Sequence, residues 1–235
     1  MISEHHFASS FTSVWHKITP LADNYWRREN LRVTRELNPV EKNVSPILRG
    51  FVNELAFETF VAARKKGVLF NERQLASLAS ENVESVATYI LRITGDADSV
   101  MFNLDSAAET EVVLLAQNLN LAFPSFHSTS FRPKFAGCGI VSSCEGDLIY
   151  QDCLYEVKAG DRGFRVSDIK QLLIYSSLAF AEGNIGFTKV GLFNPRNGFR
   201  WERTLDKLCV ELSGVRESDV LSSIAANMSQ LASSR

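Results

Sequence analysis

The stretch SDIKQLLIYSSLAFAEG, residues 167–183, constrains the fold more than any other part of the chain. Ser167 stands where a helix N-cap would and Gly183 where a C-terminal glycine would. Between them Ile169, Leu172, Leu173, Ser176, Ala179 and Phe180 recur on one face of a 3.6-residue repeat. Short apolar runs bracket this helix. DLIY and LYEVKA precede it, with Gln151-Asp152 as a hairpin turn, and FTKVGLF and GFRWERT follow it, joined at the turn-forming NPRNG. A segment of one period between segments of another is the pattern of a sheet with a helix laid against it.

Upstream the chain reads as helical. Residues 1–45 are polar with scattered aromatics (Trp15, Tyr25, Trp26) and form an N-terminal helical extension whose aromatics pack on the main body. Residues 46–120 are a helical part. Its first helix runs from Pro46 to Lys66, with Ser45 as N-cap, Pro46 at the first position and Gly67 past the end. Leu48, Phe51, Val52, Leu55, Phe57 and Val61 keep helical spacing there. Two more helices are expected around 72–93 and 105–119, the second capped by Asp105 or Ser106. In residues 121–235, FAGCGIVSS is a first short strand, and 204–235 returns to helix. From Pro46 onward the order is helices, three strands, helix, two strands, helix.

Charge is uneven although the net value is only −2. Between Lys158 and Arg203 eight basic residues face four acidic ones, and between Asn71 and Gln117 eight acids face two arginines. That asymmetry fits one face prepared for a polyanion and another turned from it or offered to a partner. No secretory leader pattern and no apolar run near membrane-spanning length is read, so a cytoplasmic protein with no membrane association is expected. Cys138, Cys144, Cys153 and Cys209 lack paired zinc spacings and are expected to be buried or partly buried thiols. The four histidines are expected to be structural or surface residues.

Chemistry concentrates in GDLIYQDCLYEVK, residues 146–158. On a strand, Glu156 and Lys158 project to one face, and a hairpin about residues 151–153 brings Asp147 near Glu156. Two carboxylates so placed repel unless a cation lies between them, and Mg²⁺ takes oxygen ligands while needing only one or two protein carboxylates. A neighbouring lysine can hold an attacking water or balance developing charge. The bland alternative is a polar hairpin with a solvent-facing Glu–Lys pair.

Asp147 followed by Glu156-Val157-Lys158 resembles the core signature of the PD-(D/E)xK nucleases, with Gly146 where a proline would stand. Gln171 and Tyr175, four apart on the next helix and off its packing face, are similar to the Gln-x-x-x-Tyr motif of the RecB-like branch. The resemblance covers roughly residues 131–203. It implies an α/β (α+β) fold with a restriction-endonuclease-like core, a mixed central sheet flanked by helices. It implies hydrolysis of DNA phosphodiester bonds with Mg²⁺ or Mn²⁺ as cofactor. Asp147, Glu156 and the Val157 carbonyl would hold the metal, Lys158 would position or activate water, and Glu54 or Glu58 would add a carboxylate from the upstream helix. Gln171 and Tyr175 would touch the DNA backbone or orient Lys158. Arg162, Arg165, Lys170 and Arg196 are candidates for phosphate contact, or else solvated surface cations. Family analogy suggests the effector of a bacterial restriction or antiphage system. The competing classes are a nucleic-acid-binding subunit active only with a partner ATPase or regulator, since no phosphate-binding ATPase loop is present, and an RNA-directed or structural relative.

Overall fold

In the computed structural model, which describes residues 1–125 and 127–233, three short helices come first: α1 (Glu4–Ser10), α2 (Thr12–Ile18) and α3 (Ala22–Glu29). A two-residue strand, β1 (Thr34–Arg35), follows. Three long helices come next, α4 (Arg49–Lys66), α5 (Glu72–Thr94) and α6 (Ser106–Ala122). Local chemistry sets their ends. The Asn71 side chain accepts the Gln74 amide ahead of α5, and Asp105 accepts the Ala108 amide ahead of α6. Gly67 and Gly95 close α4 and α5 in the left-handed region. Ser45 makes no capping bond; residues 46–48 instead form a 3₁₀ turn that feeds α4.

The sheet elements are β2 (Thr129–Phe131), β3 (Lys134–Phe135), β4 (Cys144–Glu145), β5 (Leu148–Tyr150) and β6 (Cys153–Val157). Helix α7 (Val166–Ala181) leads to β7 (Lys189–Asn194) and β8 (Phe199–Thr204), and the chain ends in α8 (Leu205–Ser213) and α9 (Glu217–Ser233). Six strands form one mixed sheet in the order β1-β8-β7-β6-β5-β2. Only β6 and β7 are parallel, and a parallel pair needs a crossover, which α7 supplies. β5 and β6 form the expected hairpin, with Gln151 of the turn at φ 57°.

Two expectations are corrected here. FAGCGIVSS is not a strand: residues 136–143 form a loop with isolated bridges, flanked by β3 and β4, which pair only with each other. Gly139 there has φ 57° and lies so close to the Met228 carbonyl of α9 that a Cβ would collide with it. Nor does Ser167 cap α7. The cap position falls two residues earlier, at Arg165, and the Asp168 carboxylate accepts the Arg165 amide at 2.8 Å.

Helix α7 is also buried nearly all round, because α1, α3 and α9 pack against its outer side while the sheet covers its inner one. One core therefore joins α7 to Phe7, Trp15, Tyr25 and Trp26 of the N-terminal segment and to α8 and α9. Those aromatics pack inside, as their sequence context suggests. A second core on the opposite sheet face holds α4, α6 and the start of α5, and a third joins α4, α5 and α6 away from the sheet. Along β6, Leu154 belongs to the α7 side and Cys153 and Tyr155 to the α4 side, so alternation sends Glu156 toward α7. Cys153 and Cys209 are buried and Cys138 and Cys144 half-buried, all as free thiols. Among the described residues no helix is long and apolar enough to cross a membrane.

Candidate active site

The hairpin register pairs Leu148 with Tyr155, so its next pair outward is Asp147 with Glu156. Both ends of Asp147 are fixed: Oδ2 accepts the Val157 amide at 2.6 Å, and its carbonyl accepts the Arg132 amide at 2.9 Å. Glu156 is only 6% exposed. Its Oε1 accepts from Lys158 Nζ at 2.8 Å, and its buried Oε2 has no protein partner. Burial, then the Glu156 charge, holds the Asp147 carboxyl well above the ordinary carboxylate range despite the Val157 hydrogen bond. Burial raises Glu156 as well, although Lys158 pulls it down. Burial works against the Lys158 ammonium, but Glu156 more than offsets it and leaves that group above its usual value.

Lys158 is held from two sides. Its amide continues the parallel ladder by donating to the Phe193 carbonyl at 2.8 Å, which aims the side chain toward α7. There Nζ donates to Gln171 Oε1 at 2.9 Å, and Gln171 Nε2 donates to the Tyr175 hydroxyl at 2.8 Å. Tyr175 stacks on Phe135 with ring centres 5.1 Å apart. Gln171 and Tyr175 are buried at 4% and 1% exposure, so neither can reach a DNA backbone; their contacts orient Lys158. In front of Asp147, Val157 and Lys158 lies a cavity of about 250 Å³, closed on its far side by Gly50, Asn53, Glu54 and Phe57 of α4.

The remaining candidates separate. Glu54 borders that cavity, but its carboxylate and that of Glu58 are both bonded to Arg132. Glu58 faces a neighbouring cavity with Tyr89, Arg132 and Glu145. Among the described residues no three His, Cys, Asp or Glu side chains come together as a metal-holding group. Arg162 lines the site cavity while bonded to both oxygens of Asp168, at 2.8 and 2.9 Å. Arg165 borders a separate groove beside Trp26 and Arg27. Lys170 lies over the Trp15 ring, 5.6 Å from its centre, outside the site cavity. Arg196 is corrected outright: it is fully buried and bonded to Glu111, Asn53 and the Ala159 carbonyl, so it cannot meet a phosphate.

No family model and no curated protein matches the chain.

The residues present fit a hard divalent cation. Glu156 Oε2 is buried without a partner, and Asp147 and Glu156 are opposed carboxyls whose hold on a proton is raised by burial, that of Asp147 further by the Glu156 charge. An oxygen-seeking cation would satisfy both conditions. Sequence reasoning missed three residues that shape the site. Arg132 occupies Glu54 and Glu58, Asn53 holds Arg196 beside the cavity, and Glu4 reaches Gln171. These contacts act across 74 to 167 residues of sequence, where no local pattern exists to signal them.

Proposed function

We propose that this chain is a Mg²⁺- or Mn²⁺-dependent nuclease of the restriction-endonuclease-like, PD-(D/E)xK type, acting on DNA. The observation that carries the proposal is the placement of Asp147 and Lys158 at one cavity, with buried Glu156 bonded to the lysine and Gln171 holding it from behind. Asp147 and Glu156 would hold the cation, with the Val157 carbonyl beside them. When bound, the cation supplies Lewis-acid stabilisation of the phosphoryl oxygens and a more acidic water. The protein's own part is electrostatic positioning. Lys158, fully charged and fixed between Glu156 and Gln171, places a cation where negative charge develops on the phosphodiester. Arg162 lines the same cavity wall, its guanidinium held and its charge balanced by Asp168.

One observation favours the partner-dependent reading as a second possibility. Of the eight basic residues between 158 and 203, six are ion-paired: Lys158, Arg162, Lys189, Arg196, Arg200 and Arg203. Much of the basic charge expected to attract a polyanion is therefore neutralised within the fold, and DNA delivery by another subunit would make up the deficit. Incubating the purified chain with plasmid, linear DNA and RNA in Mg²⁺ or Mn²⁺ separates the readings. Cleavage of DNA by the chain alone supports the autonomous enzyme; cleavage only after adding a host partner supports the second; cleavage of RNA alone overturns the choice of substrate.

The raised carboxyls make a further prediction. Folded Asp147 and Glu156 bind protons that the unfolded chain releases at ordinary carboxylate pH. Their contribution is thus lost as pH rises from the ordinary range through the raised values. A cation replaces those protons, so its stabilisation grows with pH. Thermal denaturation is expected to show a larger Mn²⁺-induced rise in Tm at about pH 8 than at about pH 5, and none in Asp147→Asn at either. An equal rise in both proteins would place the metal elsewhere.

A further inference from the structure

Helix α1 is the first turn of chain to touch the site, and the ends of the segment explain how it is held there. The Ile2 amide donates to the Ile140 carbonyl at 2.8 Å, and the Ser142 amide donates to the Ile2 carbonyl at 2.9 Å. The Ser3 hydroxyl accepts the His6 amide, starting α1. Phe7 and Ala8, three and four residues on and so on the same side of α1 as Glu4, bury that side in the core shared with α7. These contacts leave Glu4, half-buried, directed at the middle of the Lys158–Gln171–Tyr175 chain, with its carboxylate 3.4 Å from Gln171 Nε2.

The chemistry of the Gln171 amide gives that contact its meaning. Lys158 is a donor only, so Gln171 must present its oxygen to it, which turns the NH₂ group the other way. That group has two hydrogens. One meets the Tyr175 hydroxyl, and the carboxylate that receives the other is Glu4. With both taken, rotating the amide would set NH₂ against an ammonium and oxygen against a carboxylate.

We propose that Glu4 is a positioning residue of the active site, acting through Gln171 to keep its oxygen on Lys158. The role rests on the nuclease reading above, because Lys158 must do work for its orientation to matter. It places the N-terminal helix within the working site and not merely beside it.

The test is steady-state cleavage of a DNA duplex in Mn²⁺ by wild type, Glu4→Ala, Glu4→Gln, Gln171→Leu and the Glu4→Ala/Gln171→Leu double variant, with Tm measured for each. Glu4→Ala is expected to lower kcat about tenfold with KM unchanged, the scale of one hydrogen bond to a charged group. Glu4→Gln is expected to recover most of the rate, since its side-chain carbonyl accepts the same N–H. In the Gln171→Leu background, removing Glu4 is expected to cost nothing further. Multiplicative losses in the double variant, or a Glu4→Gln as slow as Glu4→Ala, overturn the proposal by showing that Glu4 acts on the reacting centre directly. Full kcat in Glu4→Ala overturns it too. A wild type that cleaves neither DNA nor RNA, alone or with a host partner added, overturns the nuclease reading itself and this role with it.

Discussion

Lys158→Ala is expected to lower the metal-dependent cleavage rate by about 10²–10³-fold, the loss found when one preorganised charge-stabilising donor is removed. The geometry supports so large an effect because nothing nearby can substitute. Arg162 is bonded to Asp168, Arg132 to Glu54 and Glu58, and Arg196 is sealed inside. Lys158→Arg is expected to recover little, since a planar guanidinium cannot take the narrow place between Glu156 Oε1 and Gln171 Oε1. Initial rates on plasmid DNA, with Tm measured alongside, check this. Removing Lys158 also removes the charge opposing the burial of Glu156, which favours the neutral form of that carboxyl. A variant that keeps its rate removes Lys158 from the chemistry.

Arg196→Met is expected to destabilise the protein by about 3–5 kcal/mol, the cost of leaving one member of a buried ion pair alone. Glu111 is as buried as Arg196 and stands 2.5 Å from it, in ionic contact. Its other oxygen accepts the Asn43 and Val44 amides at 2.9 and 3.2 Å, so it cannot swing out to water. Arg196 also holds the Ala159 carbonyl, and Asn194 beside it holds the Gly160 carbonyl, both at 2.9 Å. These bonds anchor the loop that leaves Lys158. At roughly 2–4 °C per kcal/mol for a chain of this size, Tm should fall by about 6–20 °C. Activity measured below the transition should fall as well, through a loosened cavity wall. A change of Tm within a degree or two would show that the pair contributes nothing.

Local signals carried the fold a long way. Asp105 and Gly67 bound helices through contacts with residues three or four away, and the Gln151-Asp152 turn sets a hairpin register that puts Asp147 opposite Glu156. These are short-range facts, and sequence periodicity records them. The failures are long-range. Nothing local distinguishes a surface arginine in NPRNG from one that will meet Glu111, 85 residues away, in the core. Helix α7 reads as one-sided because its polar residues suggest a solvent face, yet Gln171 and Tyr175 are polar because they must hydrogen-bond inside. The glycines of FAGCGIVSS suit a strand less than a loop seated on α9, a partner ninety residues downstream. Glu54 and Glu58 share a helix face, as their spacing requires, but Arg132 arrives from another element and binds both.

The most direct measurement is anomalous scattering from a crystal soaked in Mn²⁺ at a pH where Asp147 and Glu156 can release their protons. One peak within coordination distance of both carboxylates is the expected result, and it should vanish in Asp147→Asn. A peak held by Glu54 and Glu58 instead, with Arg132 displaced, or no peak at all beside Glu156 Oε2, would contradict the assignment of Asp147 and Glu156 as the metal-holding pair.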